Sequence, residues 1–306
     1  MNELLLVGLA GFLAAIVDGA LGMGFGPTSS SILLSTGISP AAVSATVNVA
    51  KIASGLAGGI AHWRLRNIDR RLVVRLATGG AIGALIGTTI LANVDGDELR
   101  PYLAVLLALV GARILIRFSK PVATRREHTA TAESTRGVGA AAVAGGITNG
   151  LVGAWGPVVT PFLLQRIPPR IAIGTVNTAE VAVAIVSVGV LLSSLGGSGI
   201  ELELMAAMLV GGVIAAPLAA YLVRFLPARA LGLAVAGLLL MLQARELASA
   251  LGLGASRWVV YGALALALVV AACRPIVARW RTGNTTTPAV LNSAVAPPRA
   301  SESDLR

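Results

Sequence analysis

The sequence predicts an all-α polytopic membrane protein, and its composition, its long apolar runs and their periodicity each support this fold class. Of 306 residues, 56% are hydrophobic and 12% are charged, whereas soluble domains carry about 25% charged residues. Apolar runs long enough to cross a bilayer recur along the chain. They lie at 4–22, 40–61, 72–92, 99–118, 137–164, 171–195, 202–223, 229–247 and 257–273. These runs lack the period of two that barrel strands show, so we predict about 8–9 transmembrane helices.

The basic residues indicate membrane topology, although a net charge of +10 would suggest nucleic-acid binding in a soluble protein. They crowd into the short segments that flank the apolar runs, as expected for cytoplasmic loops. The single Cys273 has no disulfide partner and no companion at metal-ligand spacing, and His62 and His128 belong to no cluster. We therefore predict no nucleic-acid partner, no bound metal and no cofactor.

Three blocks of sequence recur about 130 residues downstream and indicate an internal duplication. The pairs are GMGFGPTSSSILL (22–34) with VGAWGPVVTPFLL (152–164), ATVNVAK (45–51) with GTVNTAE (174–180), and GGAIGALIG (79–87) with GGVIAAPLA (211–219). In the third pair, small residues stand at every fourth position, a spacing that lets transmembrane helices approach closely. We interpret that ladder as packing.

The duplication predicts five parts of the chain. Residues 1–118 form the first membrane repeat, and residues 137–248 form the second. The polar segment 119–136 is a cytoplasmic linker. Residues 249–278 add one more span, and the tail 279–306 has too little apolar content to fold, so we predict a disordered cytoplasmic tail.

Glycine and proline interrupt an apolar run at the same place in both repeats. The residues that end the first helix are Gly22, Gly24, Gly26 and Pro27, and those that end its counterpart are Gly153, Gly156 and Pro157. Non-helical backbone at membrane depth occurs only where it is buried in protein or lines a cavity. Discontinuous helices at matching places in two halves are the best sequence indication of a transport site. The alternative is that these glycines serve only close helix packing.

Lys51 and Glu180 close the repeated phrase, and both lie inside apolar runs. A helix over 40–62, starting at Pro40, puts Lys51 about 16 Å from either end, beyond the reach of its side chain. A charge there costs about 2.5–3.5 kcal/mol. Lys51 must therefore face the bundle interior, a wet cavity or a counter-charge. Asp18 is the third ionisable residue at membrane depth.

Two interpretations of these charges remain open. In the first, Lys51 pairs with Asp18 or Glu180 and has a purely structural role. In the second, both phrases meet in one midplane site. In such a site Lys51 would hold an anion, Glu180 would titrate, and nearby polar groups would donate hydrogen bonds, with protons as the candidate coupling ion. The candidate substrate-binding residues are Asp18, Gly24, Gly26, Pro27, Thr46, Asn48, Lys51, Trp155, Gly156, Pro157, Thr175, Asn177 and Glu180.

Four motifs resemble those of the TauE/SafE sulfite exporter family, also called the 4-toluene sulfonate uptake permease family. They are DGALGMGFGPTSSSILL (18–34), HWRLRNIDRRL (62–72), GAWGPVVTPFLL (153–164) and IGTVNTAEV (173–181). The resemblance covers about residues 3–275. It implies a multi-pass secondary transporter of the bacterial plasma membrane, moving sulfite, a sulfonate or a related organic anion. Family members carry an acidic residue at both phrase ends, and Lys51 departs from that pattern.

Two other function classes compete with transport. A non-transporting membrane scaffold or assembly factor is the alternative, and the midplane charges and paired helix breaks argue against it. An enzyme is disfavoured because the sequence has no metal constellation, nucleophile motif or redox cysteine pair. ATP-driven transport would need a GxxxxGK[ST] loop, which the sequence lacks.

Charged segments predict the orientation of the chain in the membrane. The basic segments 62–75, 113–136 and 274–281 should be cytoplasmic. The acidic segments 93–98 and 201–203 should lie outside. These placements require an odd number of crossings per repeat, and hence inverted repeats with re-entrant or half-spanning segments at 27–36 and 157–166. A plain four-helix repeat would instead be parallel.

Overall fold

The computed structural model describes residues 2–21, 23–119, 137–195, 202–222, 228–254 and 257–281. The regular structure of these residues is helical throughout, which confirms the all-α prediction. The helices are α1 (Asn2–Leu21), α2 (Phe25–Ser35), α3 (Pro40–Arg64), α4 (Arg70–Asn93), α5 (Gly96–Ser119), α6 (Val138–Val152), α7 (Trp155–Leu164), α8 (Pro169–Leu195), α9 (Leu202–Leu222), α10 (Ala228–Ala250) and α11 (Arg257–Arg281). Apart from Ser119 and residues 279–281, the predicted linker and tail lie outside the described residues.

Five of these helices are long and apolar enough to cross a membrane, namely α3, α4, α5, α8 and α10. Shorter apolar stretches occupy α1, α6, α7, α9 and α11. Large apolar side chains such as Leu85, Leu109 and Val213 are exposed on the outside of the bundle. In water such a surface would be unfavourable, but in a bilayer it faces lipid. The protein is thus a multi-pass membrane protein.

Both predicted helix breaks are present. The chain leaves α1 at Leu21 and enters α2 at Phe25, and it leaves α6 at Val152 and enters α7 at Trp155. Gly153 has φ 67°, in the left-handed region that glycine adopts without strain. In each break the Gly-Pro pair lies in the first turn of the second helix, where proline is tolerated because its missing N–H has no partner there.

Helix α4 packs along α6 through small residues. Gly79 faces Ala142, and Gly87 faces Ile147 further along both helices. The residue numbers rise together, so the two helices run in the same direction. The glycine ladder is thus a packing surface, as predicted.

Helices α1 and α9 form the matching pair. Gly8 faces Ala207, and Gly211 faces Gly8 and the next turn at Phe12. These two helices also run in the same direction. In both pairs, the first helix of one half of the chain packs against the fourth helix of the other half.

Two further pairs run antiparallel. On α3 and α8, Gly55 faces Asn177, whereas His62 faces Gly174, so the numbers rise on one helix and fall on the other. Helices α5 and α10 show the same reversal. Their contacts join Gly111 to Leu239 and Phe118 to Gly232.

The two broken segments are helical hairpins that enter from opposite ends of the bundle. We call the end with Arg64 and Arg70 the basic end, and the end where α4 leads into α5 the acidic end. Gly137 faces Phe162, so α6 and α7 form a hairpin from the basic end. Arg100, at the start of α5, donates hydrogen bonds to the carbonyls of Leu34 in the last turn of α2 and of Gly37 just beyond it, so the α1–α2 hairpin closes at the acidic end.

The close approach of α4 and α6 yields a stability prediction. A Cβ at Gly146 would overlap the Gly80 carbonyl and lie 2.8 Å from Ala84 N, whereas a Cβ at Gly139, on the same helix, would meet nothing within 4 Å. We expect Gly146→Ala to cost about 1–3 kcal/mol through overpacking. Gly139→Ala is the matched control and should leave stability unchanged. Thermal unfolding of both variants in detergent measures the difference, and equal melting temperatures would contradict this packing.

Candidate functional site

The tips of the two hairpins meet beside Lys51 and enclose a small cavity. A side chain at Gly26 would overlap the Gly153 carbonyl, and one at Gly156 would lie 3.0 Å from the Met23 backbone. The cavity has a volume of about 30 Å³, room for one or two water molecules. Its wall comes from both halves of the chain: Asp18, Met23, Phe25, Gly26, Pro27, Lys51, Ser54, Gly153, Gly156, Pro157 and Glu180.

Lys51 is the central group of this site. Its ammonium lies 2.5 Å from Glu180 Oε1 and donates to Asn149 Oδ1 at 2.5 Å and to the Gly153 carbonyl at 2.7 Å. An ammonium has three N–H donors, so all three are used. The side chain is 4% exposed, which confirms that Lys51 faces the bundle interior. Of the two counter-charges considered from the sequence, Glu180 is the one within ion-pair distance.

Asp18 caps the helix that follows the first break. Its Oδ1 accepts hydrogen bonds from the N–H groups of Gly24 at 2.9 Å and Phe25 at 3.3 Å. The carboxylate therefore caps the start of α2, where free N–H groups and the helix dipole favour a negative charge. Asp18 also lines the cavity, so its charge contributes to the field at Lys51.

The second helix break is bridged differently. Thr148 Oγ1 donates to the Ala154 carbonyl at 3.0 Å. Ala154, the residue before α7, cannot cap the helix with its side chain, and no other described side chain accepts from the first N–H groups of α7. Thr148 thus takes the place of Asp18, while its neighbour Asn149 turns to Lys51. The start of α7 therefore presents uncapped N–H groups near the cavity. At the start of α2, by contrast, the Asp18 carboxylate already accepts from the free N–H groups.

Asn149 connects three helices through buried hydrogen bonds. Its Nδ2 donates to Asn48 Oδ1 at 2.7 Å and to Ser187 Oγ at 3.3 Å, and its Oδ1 accepts from Lys51. Asn48 in turn donates to the Ser44 carbonyl at 2.9 Å. Asn149 is fully buried, so removing it would leave several polar groups unpaired. Asn149 is not among the candidate residues predicted from the sequence, and an amide beside a helix break was the signal that could have indicated it.

Seven of the thirteen candidate residues line the cavity. They are Asp18, Gly26, Pro27, Lys51, Gly156, Pro157 and Glu180. Gly24 forms the start of α2. Asn48 accepts a hydrogen bond from Asn149, which in turn accepts one from Lys51. These two residues support the site without lining it.

The other four candidates lie away from the cavity wall. Thr46 and Thr175 precede the phrase-ending charges by five positions, about 140° around a helix, and so point elsewhere. Thr175 Oγ1 accepts from Asp69 N at 3.0 Å, at the start of α4. Trp155 is buried and donates to the Val176 carbonyl at 3.3 Å. Asn177 lies beside Gly55, further toward the basic end.

A larger crevice of about 470 Å³ lies between α3, α4 and α8. Apolar side chains such as Leu56, Trp63 and Val74 dominate its wall, and Arg70 is the charged residue that lines it. It lacks the convergent polar groups that fix a polar solute. We therefore assign the candidate site to the smaller cavity at Lys51.

The Lys51–Glu180 pair yields a second stability prediction. Lys51→Met strands the Glu180 carboxylate and should cost about 3–5 kcal/mol, because breaking a buried pair leaves an uncompensated charge. The double variant Lys51→Met with Glu180→Gln removes both charges and should recover part of that loss. Thermal unfolding in detergent measures both, with Arg75→Met, at an exposed cation, as control. A double variant no more stable than Lys51→Met would argue against the pair.

The chain is similar in sequence to known membrane transporters. The sequence profile of the sulfite exporter TauE/SafE family matches residues 7–245. A probable membrane transporter protein of Bacillus subtilis (strain 168), YtnM, is 36% identical over 252 residues, covering 81% of this chain and 83% of that protein. No solved structure gives a significant match. The chain belongs to the TauE/SafE sulfite exporter family of membrane transporters.

Proposed function

We propose that the protein is a secondary transporter of a small anion, such as sulfite, a sulfonate or a related organic anion, in the bacterial plasma membrane. The observation that carries the proposal is a buried lysine at the point where two broken helices meet. Discontinuous helices of transporters place their ends at the substrate. An ionisable residue at membrane depth marks a substrate or ion pathway.

Glu180 occupies the position that the anion would take on Lys51. Because the three N–H donors of Lys51 are already used, an incoming anion has to replace one acceptor, and the Glu180 carboxylate is the one with matching charge. If Glu180 takes up a proton as the anion binds, the net charge of the site stays unchanged. This exchange makes the proton the coupling ion and avoids burying an extra negative charge.

The uncapped start of α7 supplies the second contact for the anion. Gly156, in its first turn, lines the cavity together with Lys51. Free N–H groups at a helix start favour an anion. The anion would lie between the Lys51 ammonium and the start of α7. Since the cavity has room for one or two waters, the hairpin tips have to separate before it binds.

The helix directions support inverted repeats. A two-fold axis lying in the membrane plane relates each helix to an antiparallel copy, and α3 with α8 and α5 with α10 are antiparallel. The hairpins enter from opposite ends, as the same axis requires. Each repeat then has a hairpin followed by three crossings, and the re-entrant segments are α2 and α7.

The charge distribution supports one orientation in the membrane. Arg64, Arg70 and Arg117 lie at the basic end, and Asp95 and Asp97 lie at the acidic end. By the positive-inside rule the basic end is cytoplasmic. We therefore expect the linker 119–136 and the tail after α11 to be cytoplasmic.

This orientation can be tested by cysteine accessibility. In a Cys273→Ser background, a single cysteine introduced at residue 128 or at residue 290 should be cytoplasmic. Neither should react with a membrane-impermeant maleimide in intact spheroplasts, and both should react after permeabilisation. A cysteine at residue 36, which is exposed in the acidic-end loop between α2 and α3, is the control and should react in intact spheroplasts. Labelling of 128 or 290 from outside would contradict the orientation.

The proposed function is tested by uptake into proteoliposomes over a panel of sulfite, thiosulfate, sulfonates and carboxylates. The wild type should transport at least one of them. The double variant Lys51→Met with Glu180→Gln should fold but remain inactive, because nothing replaces the anion-binding charge. Lys51→Arg should keep part of the activity, since the charge remains but the geometry changes. Gly139→Ala is the active control.

Two outcomes would contradict this assignment. A stable double variant that transports at the wild-type rate would remove Lys51 from the anion site. A folded wild type that moves none of the panel would favour a non-transporting scaffold.

A further inference from the structure

Arg117 is a half-buried cation with a weak partner. Its Nη1 donates to Met23 Sδ at 3.2 Å, and a thioether sulfur is a weak acceptor. The guanidinium also lies 5.6 Å from the centroid of the Phe118 ring. Among the described residues, the ion pairs within 4 Å join Lys51 to Glu180 and Arg100 to Asp97. The guanidinium of Arg117 therefore has no carboxylate partner in that part of the chain.

A second cation stands next to it. Arg113 lies four positions earlier on α5, and residues at this spacing share a helix face. Like charges at this spacing are destabilising, and no carboxylate lies within ion-pair distance of either arginine among the described residues. The pair therefore attracts an anion to this face of α5.

Met23 connects Arg117 to the transport cavity. It sits at the tip of the first hairpin, is 5% exposed and lines the cavity together with Lys51. Its side chain thus contacts the Arg117 guanidinium and also forms part of the wall around the Lys51 ammonium. Methionine is unbranched and flexible, so this side chain can move aside without disturbing the hairpin backbone.

We propose that Arg117, assisted by Arg113, forms an outer anion site at the basic end, from which the substrate passes Met23 to reach Lys51. The ligand class is a small oxyanion with two oxygens on one face, because a planar guanidinium binds such groups through two parallel hydrogen bonds. Sulfite, sulfonates and carboxylates have this shape. The inference rests on the proposed transport function and adds a second residue set to it.

A lipid phosphate presents the same oxyanion chemistry, so the experiment separates the two sources. Initial rates of sulfite uptake are measured anaerobically in vesicles of phosphatidylcholine alone and of phosphatidylcholine with phosphatidylglycerol. The variants are Arg117→Gln and Arg117→Lys. Arg75→Gln is the matched control, because it removes an exposed arginine near the basic end, on α4.

For a substrate site, Arg117→Gln should raise KM by about tenfold, the loss of one charge-assisted contact. The maximal rate should change little, because the site at Lys51 remains. Arg117→Lys should restore part of the affinity, and Arg75→Gln should match the wild type. The effect should be equal in both lipid mixtures. A defect seen only with phosphatidylglycerol would instead assign the guanidinium to a lipid headgroup and overturn the proposal.

A binding measurement keeps this inference distinct from the proposed function. Equilibrium binding of radiolabelled sulfite is measured on the purified double variant Lys51→Met with Glu180→Gln, which keeps no stranded charge. Binding should persist weakly and weaken with salt, and it should disappear when Arg117→Gln is added. If the wild type transports but Arg117→Gln behaves like Arg75→Gln, only the outer site is wrong. If the wild type moves no anion, the transport function fails, and loss or retention of binding on adding Arg117→Gln to the double variant still decides whether Arg117 binds an anion.

Discussion

The buried charge of Lys51 is the constraint on which the rest of the structure depends. An ammonium at membrane depth needs an acceptor for every N–H, since no bulk water is available there. The three acceptors come from different parts of the fold: the Glu180 carboxylate on α8, the Asn149 side chain near the end of α6, and the Gly153 carbonyl in the helix break. A continuous helix would have used the Gly153 carbonyl in its own hydrogen-bond ladder. The break in the second hairpin is therefore part of how the charge is stabilised.

The sequence predicted the parts of this site whose chemistry is unusual in an apolar run. Lys51, Glu180 and the two Gly-Pro breaks stand out because each is costly in a membrane helix unless it has a purpose. Asn149 could not be found in the same way, because its role arises only when α6 approaches α3. Gly153 was expected as part of the helix break but not as an acceptor for Lys51. Thr175 and Trp155 were included because they belong to repeated phrases within the chain, yet sharing a phrase does not mean sharing a helix face.

In the proposed inverted-repeat arrangement, the two halves of the chain differ in charge at equivalent places. Lys51 in the first phrase stands opposite Glu180 in the second, so the antiparallel approach of α3 and α8 creates one ion pair where identical residues would have repelled. Asp18 caps the helix after the first break, whereas Thr148 bonds a carbonyl at the second break and does not cap α7. These differences between the halves give the cavity the Lys51 ammonium and the free N–H groups at the start of α7.

The polar contacts around Lys51 are distributed unequally along the bundle axis. Toward the acidic end, Ser30 donates to the Val152 carbonyl at 2.8 Å and Ser44 donates to the Gly150 carbonyl at 2.7 Å, and both serines are fully buried. Toward the basic end, Ser54 lines the cavity, and the remaining turns of α3 are largely exposed. Opening the acidic side would break buried hydrogen bonds between α6 and the first half, each costly to leave unmade. Met23 packs in the apolar core, and its side chain has a weak contact with Arg117, so moving it costs apolar packing but none of these strong buried hydrogen bonds. Buried hydrogen bonds thus hold the acidic side of the site, whereas apolar packing and a weak contact hold its basic side, which fits the proposed passage of the substrate from the basic end.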